Sequence, residues 1–322
     1  MNKNKEFVGI DISKDSFDVC YPNGKHAKFS NEIGGFKLFV KTLESDWHCV
    51  MEQTGRYHHP LAHYLKSLKI TVSVENGLVI KRFSQLLLKS TKTDKADAKI
   101  IRDYAIQFDP KEWETPKIYI SQCRELRSLV VLLKKQRTAL KNQDHSLKSS
   151  VEPSKEVLKF LKKELIEMNK KIKHLEKVIE DSVKENESEM LTHISSIPGI
   201  AKRTATLLII NTNAFRDFEN GKQLSSYFGL SPSIRQSGSS LNGKSIITKA
   251  GNKDMRKMMF MCSLSASVFN KACNAQFQRI VNKGKPKKVA LIAVSNKLLK
   301  IALAVAKSKM PYDENFRSVK RA

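Results

Sequence analysis

Acidic charge is scarce in this chain: 32 Asp and Glu stand against 58 Lys and Arg in 322 residues, a formal net charge of +26. A surplus of that size repels itself unless a polyanion or a well-solvated surface accommodates it. Nucleic acid is therefore the first partner to consider, with a generally basic soluble surface as the bland alternative. Cysteine pairs are missing as well. Cys20, Cys49, Cys123, Cys262 and Cys273 lie far apart, form no C-x-x-C spacing and leave an odd count. That argues against a disulfide framework or a zinc site and suits a reducing cytoplasm. The opening residues run into an apolar strand without a secretory h-region, so no signal peptide is expected. Long hydrophobic runs are also lacking. The most apolar late stretch, residues 289–306, is interrupted by Asn296, Lys297 and Lys300 and reads as an amphipathic helix, with no membrane partner.

Glycine is absent from residues 121–189, a Lys- and Glu-rich run that only Pro153 interrupts. Within it Leu158, Leu161, Leu165, Met168, Ile172, Leu175 and Ile179 follow a 3-4 spacing, which keeps one narrow apolar seam facing a partner helix and predicts a coiled coil. A looser seam through Leu126, Val130, Leu133, Leu140 and Leu147 precedes Pro153. The pair can fold back as an antiparallel hairpin or join two subunits, and one long core helix in a bundle is the alternative.

Both flanks carry the apolar content of globular domains, and the whole chain is 40% apolar. Before the helical run, strands are expected at 7–12 and 16–21, a hairpin through Asn23-Gly24 to 27–29, a helix near 34–43, a strand at 49–51, a helix at 60–68 and a strand at 71–74. That order implies a mixed sheet flanked by helices. After residue 194, Gly199, Gly221, Gly229, Gly238, Gly243 and Gly251 punctuate short helices and loops. The expected division is an α/β domain over 1–115, a helical coiled-coil middle over 116–190 and a mostly α C-terminal domain over 191–322.

Four carboxylates stand out in the first part. Asp11 ends one apolar strand and Glu52 another, and two strand ends can converge on one point. Asp94 and Asp97 are three apart and share a face if they open a helix. Taken singly, Asp11 could cap a turn, Glu52 could pair with Arg56 and Asp94 could cap the helix. Taken together they need a cation, and an oxygen-only set selects Mg²⁺ or Mn²⁺ over zinc. Phosphoryl transfer is the chemistry such pockets serve, with paired ions roughly 3.5–4 Å apart flanking an in-line displacement.

The segments Val8-Gly-Ile-Asp-Ile-Ser-Lys14, Met51-Glu-Gln-Thr-Gly55 and Lys92-Thr-Asp-Lys-Ala-Asp-Ala98 resemble the DEDD motif of the IS-one-ten family of insertion-sequence transposases, relatives of the Piv/MooV site-specific invertases. The resemblance covers nearly the whole chain. It implies a RuvC-like, RNase H-like N-terminal domain whose acids map onto Asp11, Glu52, Asp94 and Asp97.

A second stretch runs from Gly229 to Asn252, crowded with small residues, hydroxyls and cations. A serine there is accessible for attack on phosphorus, and Arg235, Lys244 and Lys249 could stabilise the charge or hold a strand. Read alone, the stretch is a flexible polar loop. The family carries a Ser-Gly motif before a Gly-x-Ile-(Ser/Thr)-Lys-x-Gly-(Asn/Asp) run, which implies Ser237, before Gly238, as nucleophile. Ser239 and Ser240 stand close by, Ser239 is the competing candidate, and Ser245 replaces the glycine that usually begins the run. Upstream, Ile197-Pro-Gly-Ile-Ala-Lys-Arg-Thr-Ala205 is similar to the hairpin of a helix-hairpin-helix element, with Lys202 and Arg203 beside a helix start that could meet a phosphate. A tight turn between packed helices is the alternative.

The functional expectation is a DNA transposase or site-specific recombinase acting on donor and target duplexes. The resemblance implies a composite use of the acids and serine, a transient phosphoserine, a homo-oligomer (dimer or tetramer), and guidance by a noncoding bridge RNA. A bacterial or archaeal cytoplasmic, nucleoid-associated setting goes with it. The competing expectations are a structure-specific Holliday-junction nuclease that ignores the serine, a Piv-type DNA invertase, and a coiled-coil DNA-binding scaffold without catalysis.

Overall fold

The computed structural model describes residues 5–87, 93–233, 236–237, 241–242 and 246–315. The chain divides into two compact units, Met1–Thr115 and Pro116–Ala322.

In the first unit β1 (Glu6–Ile12), β2 (Ser16–Cys20) and β3 (His26–Ser30) form an antiparallel meander, followed by α1 (Ile33–Val40), β4 (Trp47–Glu52), α2 (His58–Ser67), β5 (Val72–Glu75), α3 (Gly77–Leu86) and α4 (Asp94–Phe108). The sheet order is β3-β2-β1-β4-β5, with β4 parallel to both β1 and β5. The mixed sheet flanked by helices expected from the sequence is thus present. The turn at Asn23-Gly24 is made as the pair suggests, with Gly24 at φ +81°. Alternation sorts the strand residues between two cores. Val8, Ile10 and Ile12 join Phe17, Val19, Cys49 and Met51 beneath Phe36 and Phe39 of α1 and Leu61 and Leu65 of α2. Phe7 and Val50 join Ile80 of α3 and Ile100, Ile101 and Tyr104 of α4 on the other face. Each such fully buried aliphatic or aromatic side chain is worth about 1.5–3 kcal/mol, so the central strands are fixed from both sides.

The second unit opens with α5 (Ile118–Lys148) and α6 (Lys155–Asn186), then α7 (Ser188–Ser195), α8 (Lys202–Asn211) and α9 (Gly221–Tyr227). A short ribbon follows, made of β6 (Pro232–Ser233), β7 (Gln236–Ser237), β8 (Leu241–Asn242) and β9 (Ile246–Ile247). The described part ends with α10 (Lys253–Phe269), α11 (Lys271–Val281) and α12 (Lys287–Ser308). Of the two arrangements the seams allowed, α5 and α6 adopt the antiparallel hairpin: Lys134 pairs with Glu176, and Arg137 donates to Asn169 at 2.9 Å. Leu161, Ile172 and Ile179 of the predicted seam are buried. The hairpin base shares one core with the later helices, because Tyr119, Val130 and Ile179 belong to the same cluster as Leu208, Phe228, Met259 and Leu298. Glu187, where α6 meets α7, ties that base together by accepting from Lys117 Nζ at 3.0 Å, Tyr119 Oη at 2.9 Å and Arg216 Nη2 at 3.1 Å. Helix α12 is long and apolar enough to cross a membrane by length and composition alone. Its Val294, Leu298, Leu299 and Ala302 are instead buried in this core. All five cysteines are free and buried.

Candidate active site

Because Ile10 and Ile12 point into one core, Asp11 between them faces the α4 side of the sheet, and the same parity puts Glu52 and Asp18 there. Pairing then aligns them. Asp11 lies opposite Asp18 and Asp18 opposite Lys28. Ile10 lies beside Met51, so the next residues along, Asp11 and Glu52, are neighbours, and Glu52 is beside Glu75. Lys28, Asp18, Asp11, Glu52 and Glu75 thus form one row across five strands spaced roughly 4.8 Å apart.

Helix α4 brings the other two acids. Thr93 caps it by accepting from the Ala96 N–H at 3.2 Å, which leaves Asp94 and Asp97 free of the capping role and places both in the first turn. Gly9 sets how closely this helix lies on β1. A β-carbon there would stand 2.2 Å from the Ala98 carbonyl oxygen and 2.4 Å from the Arg102 nitrogen. Only a missing side chain permits that approach.

Electrostatics shows the acids acting on one another. Asp11 is pushed up from 3.8 to about 7, first by burial and then by the charges of Asp97, Glu52, Asp94 and Asp18. Like charges directly opposite on a sheet destabilise it. Compensation comes from Lys28 Nζ, 3.3 Å from Asp18 and 3.7 Å from Asp94, and His26 Nε2 lies 2.8 Å from Asp18. Glu52 leans on the start of α3, where a β-carbon on Gly77 would meet its Oε1 at 2.4 Å. A carboxylate is favoured at such a helix start. Burial pushes Glu75 up, against hydrogen bonds from the Tyr104 side chain and the Asn76 backbone. Among the described residues, no three His, Cys, Asp or Glu side chains are drawn into a closed metal-holding group. The carboxylates line a row and a helix turn.

Asp18, Lys28 and Glu75 escaped the sequence reading. The usable signal was parity: a lone Asp within Ser16-Phe-Asp-Val-Cys20 must share a face with the charged residue of the strand it pairs with.

In the second unit Ser237 lies on a short strand rather than in an irregular loop. It pairs with Leu241, inside an outer pair that joins Pro232 to Ile247 and Ser233 to Ile246. Two glycines clamp the base of this ribbon. A β-carbon on Gly229 (φ +66°) would meet the Ala250 carbonyl oxygen at 2.0 Å, and one on Gly251 (φ +100°) the Tyr227 carbonyl oxygen at 2.0 Å. Asn252 caps α10 by accepting from the Met255 N–H at 3.1 Å. The Gly-Asn end of the motif is therefore an anchor. Lys249 is exposed with φ 55°. Arg235, Lys244, Gly238, Ser239 and Ser240 lie outside the described residues, as does the Ser237 side chain.

At the Pro-Gly turn, Gly199 (φ +102°) packs on α10, its absent β-carbon only 2.6 Å from that of Ala266. The turn is thus a tight one between packed helices. Lys202 and Arg203 begin α8 exposed to solvent, and pair with Glu180 and Glu176 of α6 respectively.

Comparison with known proteins gives both units the same class. Residues 8–152 match the transposase model of the IS110 DEDD group, and residues 191–278 match the model described as the transposase IS116/IS110/IS902 family. The chain is a DNA transposase or recombinase. It is 31% identical over 336 residues to the pilin gene-inverting protein of Moraxella bovis, covering 97% of this chain and 98% of that one, and matches its Moraxella lacunata counterpart equally. A transposase for insertion sequence element IS1111A from Coxiella burnetii is 23% identical, over 80% of this chain and 76% of its own. The chain belongs to the IS110 transposase family.

Proposed function

We propose that this transposase cuts and rejoins double-stranded DNA with Asp11, Glu52, Asp94 and Asp97 of a RuvC-like, RNase H-like first unit and with Ser237 of the second. The observation that carries the reading is the rise of Asp11 to about 7, first from burial and then from the charges of Asp97, Glu52 and Asp94 gathered around it. A buried carboxylate crowded by other carboxylates is stabilised by a proton, and a cation can supply the same positive charge in its place. The donors are all carboxylate oxygens, so the residues fit Mg²⁺ or Mn²⁺. When bound, the ion would supply Lewis-acid neutralisation of charge on a phosphodiester.

The chain's own residues supply the rest. Ser237 Oγ bonds to phosphorus as the bond from phosphorus to one strand's oxygen breaks, and the serine proton ends on the departing oxygen. Reversal against a different strand end rejoins DNA without net hydrolysis. Lys249, with Arg235 and Lys244, offsets the charge that builds on the phosphate oxygens.

The expected result for Ser237→Ala is loss of strand exchange with DNA binding intact. Undiminished recombination refutes the nucleophile, and if Ser239→Ala alone abolishes exchange the role passes to Ser239. DNA processing that persists unchanged in chelator refutes the metal site.

The full-length match to the pilin gene-inverting proteins supports inversion of a DNA segment as the outcome, beside insertion and excision. Exposed Leu129, Leu132, Phe160 and Ile166 along the α5–α6 hairpin support a homo-oligomer, dimer or tetramer. The net charge of +26 supports a further polyanion such as a noncoding bridge RNA, and a site of action beside the chromosome in the cytoplasm.

A further inference from the structure

A groove of about 990 Å³ runs through the second unit between α5 and the starts of α8 and α10. Three helices contribute its cations: Arg127, Lys134 and Lys135 from α5, Arg203 from α8, Lys253 and Lys257 from α10. Asp254 is the lone carboxylate among its described lining residues. Glu176 reaches Lys134 and Arg203 from α6. Lys135, Lys253 and Lys257 are exposed and form no ion pair among the described residues.

The fold holds these charges together at a cost. Burial pushes the Arg127 guanidinium below its usual value, and nearby Arg203 pushes it further, against the pull of Asp254 and Glu176. Lys134 is likewise lowered by burial and by Arg203 although it is bonded to Glu176. Concentrated positive charge in a concave, partly desolvated surface focuses the field on an anion. Its extent speaks for a polymer. From Arg127 to Thr138 the groove follows α5 for about 16 Å at 1.5 Å per residue, a length of duplex axis over which each strand carries about five phosphates at about 3.4 Å of axial rise each.

We propose that this groove is a docking track for the phosphodiester backbone of duplex DNA. The assignment rests on the reading of the chain as a DNA recombinase and adds the surface that holds the substrate. Lys135, Lys253 and Lys257 are its accessible phosphate contacts, while half-buried Arg127 and Lys134 supply the deeper charge and exposed Arg203 flanks them.

The test is binding of a short labelled DNA duplex of arbitrary sequence by the full chain across a salt series. The triple variant Lys135→Ala, Lys253→Ala, Lys257→Ala is compared with Lys159→Ala, Lys162→Ala, Lys163→Ala, three exposed lysines of α6 that remove the same charge elsewhere. Each lost phosphate contact flattens the plot of log affinity against log salt by about 0.9. The groove variant should therefore lose about 2.7 in slope and the control little. Equal loss in both variants, or an unchanged groove variant, overturns the groove while leaving the recombinase reading standing. A wild-type chain that binds no duplex overturns both. A parallel titration with duplex RNA decides the polymer: if the groove variant loses RNA affinity but keeps DNA affinity, the assignment to DNA is overturned.

Discussion

Replacing the central carboxylate of the row should make the protein more stable while destroying its activity. Asp11 has a folded-state value of about 7 against an ordinary 3.8. At about 1.36 kcal/mol per pH unit, the folded state bears on the order of 4 kcal/mol of penalty once the solution is more alkaline than the higher value. Relaxation of the neighbouring carboxylates and solvent screening leave roughly half of that as a realistic gain for Asp11→Asn. The folded protein binds the extra proton between the two values, so wild-type stability falls as pH rises from 3.8 to about 7 and levels off above. The advantage of the Asn variant is accordingly absent below pH 3.8, grows through that window and is complete above 7. Thermal melts at pH 5 and pH 8 in chelator measure it, and a gain of this size shifts the melting point by several degrees. Adding Mg²⁺ at pH 8 should raise the wild-type melting point and leave the variant unmoved, because a ligand stabilises only the state that binds it. Equal melting points for the two proteins at pH 8 in chelator would refute the reasoning, since the burial of Asp11 among other carboxylates would then carry no energy.

Other perturbations probe the scaffold. Gly9→Ala forces α4 off β1, because its β-carbon would overlap backbone atoms of Ala98 and Arg102. A loss of about 3 kcal/mol or more is expected in chemical denaturation, and an unchanged midpoint would contradict the packing. Burial works to raise the Glu187 carboxyl, but donors from Lys117 and Tyr119 and the charge of Arg216 hold it below the ordinary 4.5. Its contribution is present above pH 4.5 and fades as acid takes the pH through the lower folded value. Glu187→Gln should cost about 1.5–3 kcal/mol at neutral pH and flatten the acid limb of the stability curve, and a variant as stable as wild type at pH 7 would rule that junction out. Gly251→Ala, strained at φ +100° and against the Tyr227 carbonyl, should loosen the ribbon that carries Ser237 and lower the denaturation midpoint, so recombination should fall even where the variant is still folded; full recombination would contradict the clamp.

Much of this protein is determined locally, and so was legible in residue order. The strands of the first unit follow from short apolar runs bounded by turn residues, the helices of the hairpin from a glycine-free 3-4 seam, and the turn at Asn23-Gly24 from the backbone freedom of those two residue types. The acids at Asp11, Glu52, Asp94 and Asp97 could be singled out because each sits at the edge of such an element. Tertiary structure decided what no local pattern encodes. Strand register put Asp18 opposite Asp11 and Glu75 beside Glu52, and only then did Lys28 become part of the row. Long-range packing turned Gly199 into a contact with Ala266 and gave Lys202 and Arg203 to the carboxylates of α6. The basic groove is likewise built from residues more than a hundred positions apart, brought together by a core whose hydrophobic driving force depends on area buried and not on sequence separation.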